Sequence, residues 1–174
     1  CSAAHLEALT DLCRTQDPSA RIDLPGGLTA RREYGRLILT RLASPPPLSA
    51  VELALPGVTR AGDWEITCTL ERYRGQAQRP LDFFLDRSAS PALTARSRQT
   101  GDRLTLPGRP GRPLKKWYVD EKIPRTLRDQ LPVLESGGRV AGAAGLGPDA
   151  AFLPSEDGEA WHIRLIHPKF GEKN

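Results

Sequence analysis

Proline and glycine punctuate this chain from end to end, sixteen of each in 174 residues. Proline has no N–H to give a helix or sheet ladder, and glycine loses the most freedom when fixed in either, so both end elements where they fall. Long helices are therefore disfavoured, and the expected architecture is many short elements joined by tight turns. The length suits one ordinary domain, or one domain plus a portion of another. Mean hydropathy is −0.43, and no apolar run approaches the roughly 18 residues that a membrane helix needs.

Between those breaks the periodicity is mostly that of strands. Asp63–Arg72 is the clearest case: Trp64, Ile66, Cys68 and Leu70 alternate with Asp63, Glu65, Thr67, Thr69 and Glu71. Strict period two with one apolar face predicts a strand with one side buried and one wet. Arg21–Leu24, Leu28–Glu33, Leu37–Arg41, Leu81–Asp86, Leu93–Arg98 and Ala160–His167 read as further strands. In the last of these, Trp161, Ile163 and Leu165 take the apolar side and His162 the exposed side. Tyr34-Gly35 and Glu135–Gly138 read as hairpin turns, the second between Pro132–Leu134 and Arg139–Ala144.

Helical signals are few. Ser2 caps a predicted helix running to about Thr15, with Leu6, Leu9, Leu12 and Cys13 on one face and Asp17-Pro18 ending it. Pro113 opens a second, Leu114–Asp120, whose apolar face is Leu114, Trp117 and Tyr118. Pro124 stops it, and Arg125–Gln130 reads as another short helix. Ala43–Pro47 (ASPPP) is the best boundary candidate, because three consecutive prolines continue neither sheet nor helix. Gly145–Asp157 is loop-rich, and Pro168–Asn174 is expected to fray. The fold class is therefore α+β: an N-terminal helix and β-hairpin, then a mixed or antiparallel sheet domain with two short helices.

Charge is concentrated. Arg96–Asp129 holds ten Lys or Arg against four acids, a local net of +6 in a chain whose total is +4. Everything outside the stretch is thus about −2. Such a footprint fits a polyanion such as nucleic acid. Catalytic and metal signals are thin by contrast. Cys1, Cys13 and Cys68 have no CxxC spacing, which argues for a reducing compartment and against a disulfide framework. His5, His162 and His167 have no nucleophile or ligand partner at useful spacing. From composition and spacing alone, the chain reads as a small basic α+β module expected to bind RNA, with no visible active site.

The order of motifs adds a resemblance. RSRxxGDR at Arg96–Arg103, LKK followed by aromatics at Leu114–Tyr118, DEKIPRxxRD at Asp120–Asp129 and PVL…G at Pro132–Gly137 resemble the C-terminal domain of bacterial tRNA(Ile)-lysidine synthetases. DLPGG and RREYG, within residues 21–42, resemble the family's segment just before that domain. The resemblance implies two domains, 1–44 as the end of a substrate-binding linker domain and 45–174 as a C-terminal tRNA-binding domain. It implies a cytoplasmic, ATP-dependent carbon–nitrogen ligase as the parent, which modifies the wobble cytidine of the CAU-anticodon isoleucine tRNA to lysidine. ATP and Mg would serve the parent's separate catalytic domain, with no cofactor in this piece. Homodimerisation of the parent is left open. Ser136-Gly137-Gly138 lacks the Asp-Ser of the family's SGGxDS pyrophosphate loop and reads as a turn.

The same resemblance implies Arg96, Arg98, Arg103, Lys115, Lys116, Lys122, Arg125 and Arg128 as tRNA contacts at the acceptor end, with catalytic and metal residues absent from this segment. Arg forks suit phosphate oxygens, and Lys supplies point charge. Arg103 beside Asp102, and Arg128 beside Asp129, have structural ion pairs as the competing reading. Two other readings stay open: a free-standing structured-RNA binder with no tRNA preference, and a protein-interaction, dimerisation or lipoprotein domain whose patch is merely solvated.

Overall fold

A computed structural model describes residues 3–15, 20–24, 28–34, 36–41, 46–125 and 127–170. The chain divides into two compact units, Cys1–Pro45 and Pro46–Asn174.

In the first unit, helix α1 (Ala3–Arg14) lies against an antiparallel sheet of β1 (Arg21–Leu24), β2 (Leu28–Glu33) and β3 (Arg36–Arg41), in that order. The expected helix face is narrower than drawn from sequence. Leu12 and the facing Ala30 are buried, whereas Leu6 and Cys13 are exposed, because a three-stranded sheet covers less than a full helical stripe. The Arg32 guanidinium donates to the Thr15 carbonyl and ties the sheet to the helix end. The proposed cap Ser2, the Asp17-Pro18 stop and Pro25–Gly27 lie outside the described residues.

The second unit begins with β4 (Val51–Glu52), β5 (Gly57–Ala61), β6 (Trp64–Arg72), β7 (Asp82–Asp86) and β8 (Thr94–Arg96). β9 (Arg103–Leu104), β10 (Arg112–Pro113), α2 (Leu114–Asp120), β11 (Val133–Ser136), β12 (Arg139–Ala143), β13 (Gly147–Pro148) and β14 (Glu159–Ile166) follow. All described ladders are antiparallel. One sheet runs β13-β12-β11-β8-β4, a second β5-β6-β14-β7, and β9 pairs with β10 beside them. The α+β expectation therefore holds.

Register explains the core. β14 sits between β6 and β7, with Ile163 opposite both Cys68 and Phe83, and Leu165 opposite Ile66. Those apolar residues share one face and join Val133, Leu134, Trp117 and Tyr118 in a single cluster. Each tryptophan N–H finds a carbonyl: Trp64 to Gln130 at 2.6 Å, Trp117 to Leu104 at 2.7 Å, Trp161 to Ser90 at 3.1 Å. Burial without such partners would cost about 1–3 kcal/mol each. Cys68 is buried in this cluster, which pushes its thiol up to about 12 and keeps it an unreactive apolar group.

Three expectations are corrected. His162 is buried, not exposed: its ring stacks on Phe84 at 4.2 Å, and Nε2 lies 2.5 Å from Asp82. Its Nδ1 is 2.9 Å from Glu71 without hydrogen-bond alignment. Phe84, which itself meets Tyr73, covers what alternation assigns to solvent. Pro168–Phe170, the described part of the stretch expected to fray, is packed, with Phe170 stacked on Trp64 at 5.3 Å, and residues 171–174 lie outside the described residues. The helix expected over Arg125–Gln130 shrinks to one 3₁₀ turn, Arg128–Gln130.

Candidate nucleic-acid interface

Helix α2 organises the basic face. Its seven residues bury Leu114, Trp117 and Tyr118. Lys115 and Lys116 fall between them and are exposed, as helical spacing dictates. The loop before it is clamped onto the helix: Arg112 donates to Asp120 at 2.6 Å, and the Arg112 and Arg109 guanidiniums lie 5.1 and 5.8 Å from the Trp117 ring centre. The helix ends in a Schellman-type closure. Lys122 N–H bonds the Val119 carbonyl, Ile123 N–H bonds that of Tyr118, and Lys122 itself stands at φ +55°.

Two hollows flank α2. One, of about 520 Å³, includes Arg98, Lys115, Arg125 and Arg128 in its wall. The other, of about 720 Å³, includes Arg103, Arg112, Lys115 and Lys116. Lys115 belongs to both. Lys122 is exposed and lines neither.

The acids beside these arginines are paired by the fold, not by sequence adjacency. Asp102 binds Arg96 rather than Arg103, at 2.8 and 3.0 Å. Asp129 binds Arg98 rather than Arg128, at 2.9 Å. Arg103 instead donates to the Gly111 carbonyl, and Arg128 uses Nε on the Ile123 carbonyl at 3.0 Å. Arg98 and Arg128 are thus each anchored through Nε, which sets the orientation of the guanidinium fork.

Arg96 differs from the rest. It is 6% exposed on the internal strand β8, opposite Val133 and diagonal to Glu135. Its Nε donates to Glu135 at 2.5 Å, and its fork is spent on Asp102 and the Ser97 carbonyl. The hydrogen bond to Asp102 is the main reason its pKa is raised, against the opposing effect of desolvation. Desolvation raises the Asp102 carboxyl, yet the Arg96 bond, the Gln99 N–H and the Arg96 charge outweigh it and hold it below its ordinary value. This is a buried structural ion pair, and Arg96 leaves the set of candidate contacts. Arg112 enters it. The GRPGRP run directly before a helix is the sequence signal that marks such an arginine.

Comparison with known proteins now gives the class. Residues 93–165 match the family model of the TilS substrate C-terminal domain, and residues 1–38 that of the TilS substrate binding domain. A crystal structure of a TilS C-terminal domain has the same fold, with a TM-score of 0.59 at 24% identity over 69% of this chain and 98% of that one. The chain is 32% identical over 170 residues to the tRNA(Ile)-lysidine synthase of Geobacillus kaustophilus, covering 94% of this chain and 36% of that one. It is 33% identical over 156 residues to that of Symbiobacterium thermophilum, covering 83% and 32%. The Ralstonia nicotianae enzyme is 42% identical over 81 residues, 46% of this chain and 17% of the enzyme. The chain belongs to the tRNA(Ile)-lysidine synthase family, and it spans about a third of the length of the G. kaustophilus and S. thermophilum relatives.

Proposed function

We propose that residues 45–174 recognise tRNA for an ATP-dependent tRNA(Ile)-lysidine synthetase, and that 1–44 ends its substrate-binding linker domain. The basic face holds the acceptor-end region of the CAU-anticodon isoleucine tRNA by electrostatic capture. Holding one end sets where the anticodon meets the catalytic domain, so selection acts at two separated points. The observation that carries this reading is α2: its apolar face is spent on the core, Lys115 sits on the rim shared by two arginine-lined hollows, and Lys116 lines one of them. Double-helical RNA offers little readable sequence in its deep groove, so contacts to backbone and shape dominate such a surface.

The segment does not present the pyrophosphate loop that the parent reaction needs. Ser136-Gly137-Gly138 turns a hairpin between β11 and β12, with Gly137 and Gly138 at φ +57° and +78°. Among the described residues no three His, Cys, Asp or Glu side chains group to hold a metal ion. Adenylation and lysine attack are proposed for the parent's separate catalytic domain, and the parent for the cytoplasm.

The test is a salt-titrated binding measurement with the isoleucine tRNA, against a tRNA with a different acceptor stem and an unrelated RNA hairpin. The isoleucine tRNA should bind best. Lys115→Ala with Lys116→Ala should weaken it roughly tenfold and flatten the log–log salt slope by about one per lost contact. Equal binding of all three RNAs would reduce the module to charge capture.

A further inference from the structure

The two hollows beside α2 differ in shape. The one walled by Arg103, Arg112, Lys115 and Lys116 is an open shelf, whereas the one walled by Arg98, Thr100, Lys115, Arg125 and Arg128 is the more enclosed. At about 520 Å³ the enclosed cavity falls within the range of small-molecule sites. It is too large for a bare phosphate and too small for a duplex. Its wall supplies four cations. Its one carboxylate, Asp102, is paired with Arg96, and Arg98 with the neighbouring Asp129, so Lys115, Arg125 and Arg128 supply the net positive charge of the cavity.

The cations are arranged for a phosphate group. Arg98 is held by Asp129 and Arg128 by the Ile123 carbonyl, both through Nε, so the terminal nitrogens of each fork keep one orientation. A pre-oriented guanidinium binds two phosphate oxygens with less entropy to lose. Pro113, half-buried, gives the cavity an apolar edge for a base or ribose. The buried Tyr118 hydroxyl, close to Arg98, Asp102 and Asp129, has no hydrogen-bond partner among the described residues.

We propose that this cavity takes a single unpaired nucleotide together with its phosphate, while the adjoining shelf carries the backbone of the strand it belongs to. Lys115, shared by both, bridges the two contacts. The inference deepens the RNA-recognition reading and rests on it for the polymer. A chain end and a looped-out nucleotide present the same chemistry to the site.

The experiment uses the whole chain and fluorescence-detected binding of four probes. These are a blunt RNA hairpin, the same stem with one overhanging 3′ nucleotide, the same stem with one bulged nucleotide, and free adenosine 5′-monophosphate. The overhang or the bulge should bind about tenfold tighter than the blunt stem, and whichever does so identifies the source. Arg125→Ala, an exposed residue, and Arg128→Lys, which keeps charge but loses the fork, should abolish that advantage, read as the ratio of overhang or bulge affinity to blunt-stem affinity within the same variant. Arg103→Ala, on the shelf, should weaken all three stems alike. If blunt, bulged and overhanging stems bind equally, the nucleotide cavity is overturned while RNA recognition stands. If no stem binds but the mononucleotide does, and Arg125→Ala removes it, the cavity stands and the recognition reading falls. If nothing binds, both fall.

Discussion

Residues of identical type in one basic stretch occupy opposite environments here, and burial separates them. Arg96 lies inside the sheet with two carboxylates, so Arg96→Ala leaves buried negative charge uncompensated. The expected loss is about 3 kcal/mol in a denaturant melt, with little specific change in RNA affinity at temperatures where the variant stays folded. The pair also has a pH signature. Asp102 is depressed in the folded state, so its contribution is complete above the ordinary carboxylate value of 3.8 and drains as pH falls through the lower folded value. Wild type should therefore lose stability in that acid window, and Asp102→Asn should flatten the loss. Lys122 is the converse case, a lysine at φ +55° where helix termini favour glycine. Lys122→Gly should leave stability unchanged or raise it by up to about 1 kcal/mol. A fall in tRNA affinity at the same time would mark the ammonium as a contact that offsets the backbone cost, and an unchanged affinity would remove Lys122 from the interface.

At the level of elements, short pieces are positioned by what they bury. Helix α2 has too few residues to be stable alone. It persists because Leu114, Trp117 and Tyr118 enter the core and because Trp117 bonds the Leu104 carbonyl. Strand β12 solves a different problem. Its AGA sequence looks weak for a strand, yet Val140, Ala141 and Ala143 are buried, and small residues let aromatic rings approach. A Cβ at Gly142 would lie 2.9 Å from the Phe83 ring and 3.2 Å from the Gly147 carbonyl oxygen. Gly142→Ala should therefore cost about 1–3 kcal/mol in thermal or denaturant unfolding. Gly101→Ala meets no atom within 4 Å and tests only its φ of +92°.

For the whole molecule, the relevant quantity is where charge sits rather than its sum. A net of +4 is unremarkable, but +6 in 34 residues around one short helix is a field directed from one region of the second unit. If about six of the seven remaining candidates, with Arg112, meet phosphates, affinity should fall by about 10³ between 50 and 200 mM salt. A fall of tenfold or less would mean that only one or two of them engage. In the interior of the second unit all three tryptophan N–H groups are paired. The basic side chains can therefore be varied at the surface without disturbing the core that orients them.

Much of this was legible from residue order, because period and turn chemistry are local properties. Alternation identified β6 and β14 within a residue or two, Pro113 with the Leu114, Trp117 and Tyr118 spacing identified α2, and Ser136-Gly137-Gly138 announced its hairpin. Position on a helix likewise separated Lys115 and Lys116 from the aromatics between which they lie. Pairing across the chain was not legible. Asp102 stands next to Arg103 yet binds Arg96, and Asp129 stands beside Arg128 yet binds Arg98, 31 residues earlier. His162 occupies a wet position by alternation and is buried because Phe84, on another strand, folds over it. Periodicity states which face a side chain takes, but strand register and sheet packing state what meets it there. Those depend on contacts between residues far apart in the chain, and so they belong to the folded molecule.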